Sequence, residues 1–429
     1  MGHRAQERAY RPEERGGSHP PPQHRLYARP AMNERYKERP QGASRRTHCR
    51  LSDTKPMITN GGLAALSGDD SALPENERAL LERARALIPR LAERAPAATA
   101  ARQLPPATIA EYHEAGILRI LQPRRFGGLQ GRFSLFSRIV EELTFGCASS
   151  AWVYAVLAEH QWILAQYPEQ AQIDVWGDDP LAVASSSLAP RAPARKVPGG
   201  WRLSGRYTFS SGCVFAQWAI LGAFLGEVGD PRTIAYLLAP LSEVEIVDDW
   251  QVLGLAGTGS KSLLLHDVFI PEHRCVMVSD LFKGTPPGAL VHPEYPVLRA
   301  PRGFLVSYSL PPVAIALGRR ALDLVCRDLS TRVSRGVTKM ADSEVVQMAV
   351  GEAGRRSTPR RPCCTSAAIT APTKSAPAAG SPRPRRCAPA ATWFTRSTRW
   401  AGPWSGCASS PAPAGSTTAT RCRKSAATS

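Results

Sequence analysis

Apolar residues recur at helical spacing over residues 80–91, where Leu80, Leu81, Ala84, Leu87, Ile88 and Leu91 share one face and Arg and Glu fill the other. Pro74, Glu75 and Glu77 put a proline and two carboxylates at the positive end of that helix. The pattern predicts a second helix after Pro105 and Pro106, carrying Ile109, Tyr112, Ile117 and Leu118 and ending at Pro123, with a turn at Phe126–Gly128. Two further helical patterns cover Phe133–Phe145 and Ala148–Ala165. From about Pro180 the texture changes to short β-prone runs: Leu181–Ser187, Gly200–Ser204, Tyr207–Ser211, Trp218–Phe224, Thr233–Leu238, Val244–Val247, Leu263–Val268 and Arg274–Val278. Gly, Pro and Asp punctuate them at intervals that suit an antiparallel barrel or sandwich. Helical pattern returns from Phe304, and residues 317–325 have no strand alternation. The chain therefore reads as α+β: a helical domain over 74–179, an antiparallel β-barrel over 180–290 and the start of a helical bundle over 291–352.

The formal charge of +18 invites a nucleic-acid reading, but it sits at the ends. Residues 1–56 carry +7 and residues 353–429 carry +13 without one acidic residue, leaving −2 on the stretch between. The first 73 residues read as a disordered basic extension without a secretory h-region, and Met57 begins a more ordinary sequence. No run of 18 apolar residues predicts a membrane span. Residues 353–429 hold Arg, Pro, Ala, Ser and Cys, and their composition reads as low-complexity. Three tryptophans and five cysteines there fit a GC-rich gene read out of frame better. Over 57–352 the cysteines are scattered, with no CxxC and no His at ligand spacing, so neither a disulfide framework nor a metal site is expected. A reducing, cytoplasmic setting fits that usage.

Candidate chemistry is sparse when read from residue types alone. Ser210 and Ser211 close a strand and, in a regular one, face opposite sides. His160 follows Trp152 by eight residues, two turns along a helix, and a lone His between Glu159 and Gln161 is ordinarily solvated. Trp152 reads equally as a core aromatic. The Gly257–Ser260 turn offers N–H groups and hydroxyls, although hairpins need glycine too. Arg302 and His292 lie near the domain junction without an assigned role.

Three stretches together resemble the acyl-CoA dehydrogenase fold: Pro123–Gly128 followed by the Val140–Leu143 helix and Cys147–Ser150; Gly205–Cys213 leading into Ala216–Ile220; and Val252–Lys261 running into Val268–His273. The acidic loop that acyl-CoA dehydrogenases place before the flavin strand is replaced by Ser185–Pro190, as in the two-component flavin hydroxylases of phenols and indoles. The resemblance covers about 74–350. It implies a monooxygenase that takes reduced FMN or FAD from a transiently bound flavin reductase and transfers oxygen from a flavin hydroperoxide to an aromatic substrate. It places the Ser211 hydroxyl beside flavin N5, with Ser210, Gly212, Thr258, Gly259 and Ser260 around the cofactor. It puts His160 against the substrate phenol, with Ser186 as its partner and Trp152 lining the site. It also implies a homotetramer where the bundle is complete, and a shifted reading of 415–428 resembles the family's last helix. Two other readings stand beside it: an acyl-CoA dehydrogenase-type FAD oxidoreductase, and an inactive truncated member whose basic ends bind nucleic acid nonspecifically.

Overall fold

The computed structural model describes residues 70–334 and 338–357. The basic extension and almost all of the tail, with the expectations attached to them, lie outside the described residues. Five helices come first: α1 (Glu75–Ala101), α2 (Pro106–Glu114), α3 (Phe133–Gly146), α4 (Ala148–Leu164) and α5 (Glu169–Trp176). Gly116, at φ 72°, ends the α2 region in the left-handed conformation, so Ile117 and Leu118 fall in a separate short turn rather than on the helix. α4 is apolar on nearly every face and buried along most of its length, which makes it the central helix of the layer.

Eight strands follow: β1 (Ala184–Pro193), β2 (Arg195–Val197), β3 (Gly200–Ser210), β4 (Trp218–Phe224), β5 (Ile234–Pro240), β6 (Glu245–Val247), β7 (Lys261–Pro271) and β8 (Cys275–Met277). They form two four-stranded sheets, ordered β1-β4-β5-β8 and β2-β3-β7-β6, antiparallel except where β1 and β4 run parallel. The expected barrel is thus a pair of sheets, since among the described residues no strand pairing closes one onto the other. Leu203, Tyr207, Leu221, Leu237, Leu263 and Ile270 make one core. The alternate residues Ile220, Leu238, Tyr236 and Val276 join the helical core instead. The first sheet therefore has one face on the second sheet and the other on the helices.

The chain returns to helix in α6 (Val278–Lys283), α7 (Gly288–Val291), α8 (Arg302–Ser309), α9 (Pro311–Thr331) and α10 (Glu344–Ser357). The compositional break at 353 does not end α10, which runs on to Ser357. Gly288 lies so close to the turn after α4 that an added Cβ would stand 1.8 Å from the Ala165 carbonyl oxygen. Gly288→Ala is expected to destabilise the fold by about 2–3 kcal/mol through that overlap. Thermal unfolding checks it, and an unchanged midpoint would mean that the start of α7 yields freely.

Candidate active site

The helix-facing side of β1 meets α4, and His160 sits at that seam, 2 % exposed. The expectation of a solvated His is overturned because α4 buries all its faces. Its ring is fixed at both nitrogens: Nδ1 is 2.6 Å from the Ala184 carbonyl and Nε2 is 2.9 Å from Ser186 Oγ. A carbonyl only accepts, so Nδ1 carries the proton and Nε2 accepts from the Ser186 hydroxyl. Burial lowers the imidazole to about 4, partly offset by the Ala184 carbonyl and assisted by the Arg302 charge. The ring is therefore neutral at pH 7. Ser186 is only partly buried, whereas Ser185 and Ser187 on either side are buried on the opposite, sheet-facing side.

A second constellation joins Trp152, Ser211, Ser260 and Thr258. Trp152 Nε1 donates to Ser211 Oγ at 3.2 Å, Ser211 Oγ lies 2.7 Å from Ser260 Oγ, and Ser260 Oγ lies 2.7 Å from Thr258 Oγ1. Thr258 Oγ1 in turn donates to the Leu255 carbonyl at 2.9 Å. The far end can only accept, and this fixes the direction of the chain. Thr258 gives its proton to Leu255, Ser260 to Thr258, and Ser211 to Ser260. Ser211 thus keeps an unused lone pair but no unused proton. The resemblance placed a hydroxyl here, and the network makes it an acceptor.

Ser210 was expected to face away from Ser211 in a regular strand, but the strand is irregular. Phe209 adopts φ 64°, a costly conformation for a bulky residue, and the β3–β7 register slips between Tyr207 and Ser210. Ser210 is buried, with its hydroxyl unpartnered. Gly212, at φ 67°, donates its N–H to the Thr258 carbonyl, and a Cβ there would press to 3.0 Å on Val153 of α4. Gly212, Thr258, Gly259 and Ser260 are all buried, so they brace the turn against the helices rather than line a solvent-facing cradle. The outward-facing groups at this corner are Phe209, 65 % exposed, and Trp250, whose rings meet edge to face at 6.0 Å.

Residue patterns gave no role to Arg302 and none beyond solvation to Glu159, yet both are buried, Glu159 next to His160 on α4 and Arg302 over the Tyr236 ring. His292 lies elsewhere, donating from Nε2 to Gln172 Oε1 at 2.7 Å as a structural tie. Among the described residues no three His, Cys, Asp or Glu side chains are placed to hold a metal, and no helix is long and apolar enough to cross a membrane.

The helical layer, paired sheets and helical return, with the serine-rich seams between them, define an acyl-CoA dehydrogenase-like flavoprotein scaffold. Residues 74–178 match the acyl-CoA dehydrogenase N-terminal domain. The chain is 38 % identical over 259 residues to the oxygenase component of the FADH(2)-dependent resorcinol hydroxylase of Rhizobium sp., covering 59 % of this chain and 63 % of that protein. It is 35 % identical over 267 residues to the flavin-dependent monooxygenase oxygenase subunit HsaA of Mycobacterium tuberculosis, covering 62 % and 68 %. The crystal structure of 3-HSA hydroxylase from Rhodococcus sp. RHA1 superposes with a TM-score of 0.61 at 33 % identity, over 65 % of this chain and 72 % of that one. The chain belongs to the family of oxygenase components of flavin-dependent monooxygenases. It spans about two thirds of the length of these relatives.

Proposed function

We propose that this chain hydroxylates a phenolic or indole-like aromatic compound with oxygen and reduced FMN or FAD delivered by a separate reductase. The observation that carries the reading is the Ser186–His160–Ala184 relay, in which a buried neutral imidazole with a fixed tautomer is reached through a partly exposed hydroxyl. Reduced flavin, when bound, supplies the activation of oxygen. The residues at the Ser211 corner suit it. Ser211 offers a lone pair to an N–H donor such as N5 of the reduced ring, Trp152 holds that serine in place, and Phe209 offers an apolar face. Thr258, Gly259, Ser260 and Gly212 support this by fixing Ser211 from behind. The orphaned Ser210 hydroxyl is a further polar group available at the strand end.

The substrate phenol donates to Ser186 Oγ. As it gives up its proton, the Ser186 proton passes to His160 Nε2, and the Ala184 carbonyl holds the imidazolium through Nδ1–H. The low basicity of the buried ring makes that charge short-lived, so the proton returns once oxygen has been transferred. The four free cysteines among the described residues suit a reducing, cytoplasmic compartment.

The test mixes the purified full chain with photoreduced FMN or FAD, oxygen and a panel of phenols, and follows the oxygenated product by mass spectrometry. Hydroxylated phenol is the expected result. A chain that instead purifies yellow, holds oxidised FAD tightly and bleaches on addition of an acyl-CoA would sink the reading.

A further inference from the structure

Every residue of α4 is fully buried except Ala148, Trp152 and Val156, which are each partly exposed. They fall at every fourth position, so they share one strip of the helix, and the next residue along that strip is His160. Both polar stations on the strip are occupied by serine hydroxyls. Trp152 Nε1 holds Ser211 Oγ at 3.2 Å, and His160 Nε2 holds Ser186 Oγ at 2.9 Å. At the helical rise, Trp152 and His160 stand about 12 Å apart along the axis, and Val156 lies midway, about 6 Å from either. Residues 153–155 and 157–159 are buried, so Val156 is the one α4 side chain that meets the open strip between the two stations.

An aromatic ring that gives its hydroxyl to Ser186 and turns its reacting edge towards the Ser211 corner has to lie across Val156. The two stations read hydrogen bonds, whereas the apolar residue between them can read only shape. Valine suits that task. Its β-branch leaves one strongly preferred rotamer in a helix, so its two methyl groups make a wall that does not swing aside. An unbranched side chain at the same place would yield to a larger ring. We propose that Val156 is the size-determining residue of the substrate site. It sets the bulk of the ring system admitted between Ser186 and Ser211, and it turns away rings that carry extra bulk on the side facing α4. The inference rests on the phenol-hydroxylase reading, which supplies the ring.

Calorimetric titration of the purified full chain with phenol and 2-naphthol, which differ by one fused ring, tests it. Val156→Ala removes the wall and is expected to raise the affinity for 2-naphthol relative to phenol by at least about tenfold. Val156→Phe fills the strip and is expected to weaken phenol itself by at least about tenfold, with thermal unfolding reporting an intact fold. Val156→Thr keeps the branched shape and is expected to keep the ratio of the unmodified chain. A ratio within about threefold of the unmodified chain in Val156→Ala overturns the proposal, because removing side-chain bulk from a fitted pocket moves specificity further than that. Undiminished phenol binding by a folded Val156→Phe protein overturns it as well. Where that variant does not fold, Val156→Ala decides alone. Binding of neither compound by the unmodified chain overturns both the size gauge and the hydroxylase reading. Turnover with reduced flavin is scored separately: a shifted binding ratio without any product would sink the hydroxylase reading and leave the role of Val156 standing.

Discussion

Replacing His160 by glutamine is expected to lower hydroxylation by about 10²–10⁴-fold, the range over which a positioned general base contributes. Glutamine can still donate to the Ala184 carbonyl, so the loss reports the missing base at Nε2 rather than a broken seam. Single-turnover product formation with reduced flavin measures it, and a loss below about threefold would remove His160 from the chemistry. The same substitution has a stability signature of known sign. His160 titrates near 4 in the folded chain and near 6.5 unfolded, so between those values the unfolded state binds the extra proton. Above pH 6.5 the group contributes no pH dependence. As pH falls from 6.5 to 4, the unmodified fold is expected to lose about 3 kcal/mol through His160, a loss that His160→Gln escapes. Burial raises the Glu159 carboxyl, and that group works in the opposite sense by favouring the folded state as it protonates. The difference between the two proteins isolates the histidine. Urea unfolding at pH 7 and pH 5 provides the comparison, and parallel pH dependence in both proteins would refute the buried neutral imidazole.

The order of layers was legible because the periods differ so clearly: Leu80 to Leu91 repeat as a helix, and Leu263 to Val268 do not. Details failed where tertiary contacts overrode the local pattern. Glu159, His160 and Gln161 read as a polar, solvated turn, but all three are buried, and the partners of His160 and Gln161 lie at Ser186 and Ala182, far along the chain. The three residues themselves do not announce that burial; the apolarity of α4 on nearly every face does. The strand that seemed to break between Ser204 and Tyr207 is one strand, β3, whose irregularities at Gly205 and Phe209 interrupt its alternation. α5 went unread because it is short, with only Ala171, Gln172, Val175 and Trp176 buried. Ser211 and Ser260 could be named from the resemblance, but the direction of the hydrogen bonds between them depends on Thr258 reaching the Leu255 carbonyl. Arg302 had no local cue, since its burial comes from packing over Tyr236.

Trp162 shows how the site depends on the helical return. It lies two residues beyond His160 on α4, fully buried, with its ring edge-to-face on Phe133 at 5.9 Å and its Nε1 donating to the Val297 carbonyl at 3.1 Å. The residue therefore pins the helix that carries the relay to the segment leading into α8. Trp162→Ala is expected to cost about 4 kcal/mol, from lost burial, an unfilled cavity and an unpaired Val297 carbonyl. For a fold of this size that lowers Tm by about 10 °C. Trp162→Phe keeps most of the packing and loses the hydrogen bond, so a cost of about 1–2 kcal/mol is expected. Urea unfolding of both variants separates the two contributions. α4 carries His160 towards Ala184, so slackening its far end loosens a 2.6 Å contact whose alignment fixes the tautomer. Trp162→Ala should thus lose activity even at temperatures where it remains folded, whereas Trp162→Phe should retain it. Full activity in a folded Trp162→Ala protein would mean that β1 alone positions the histidine.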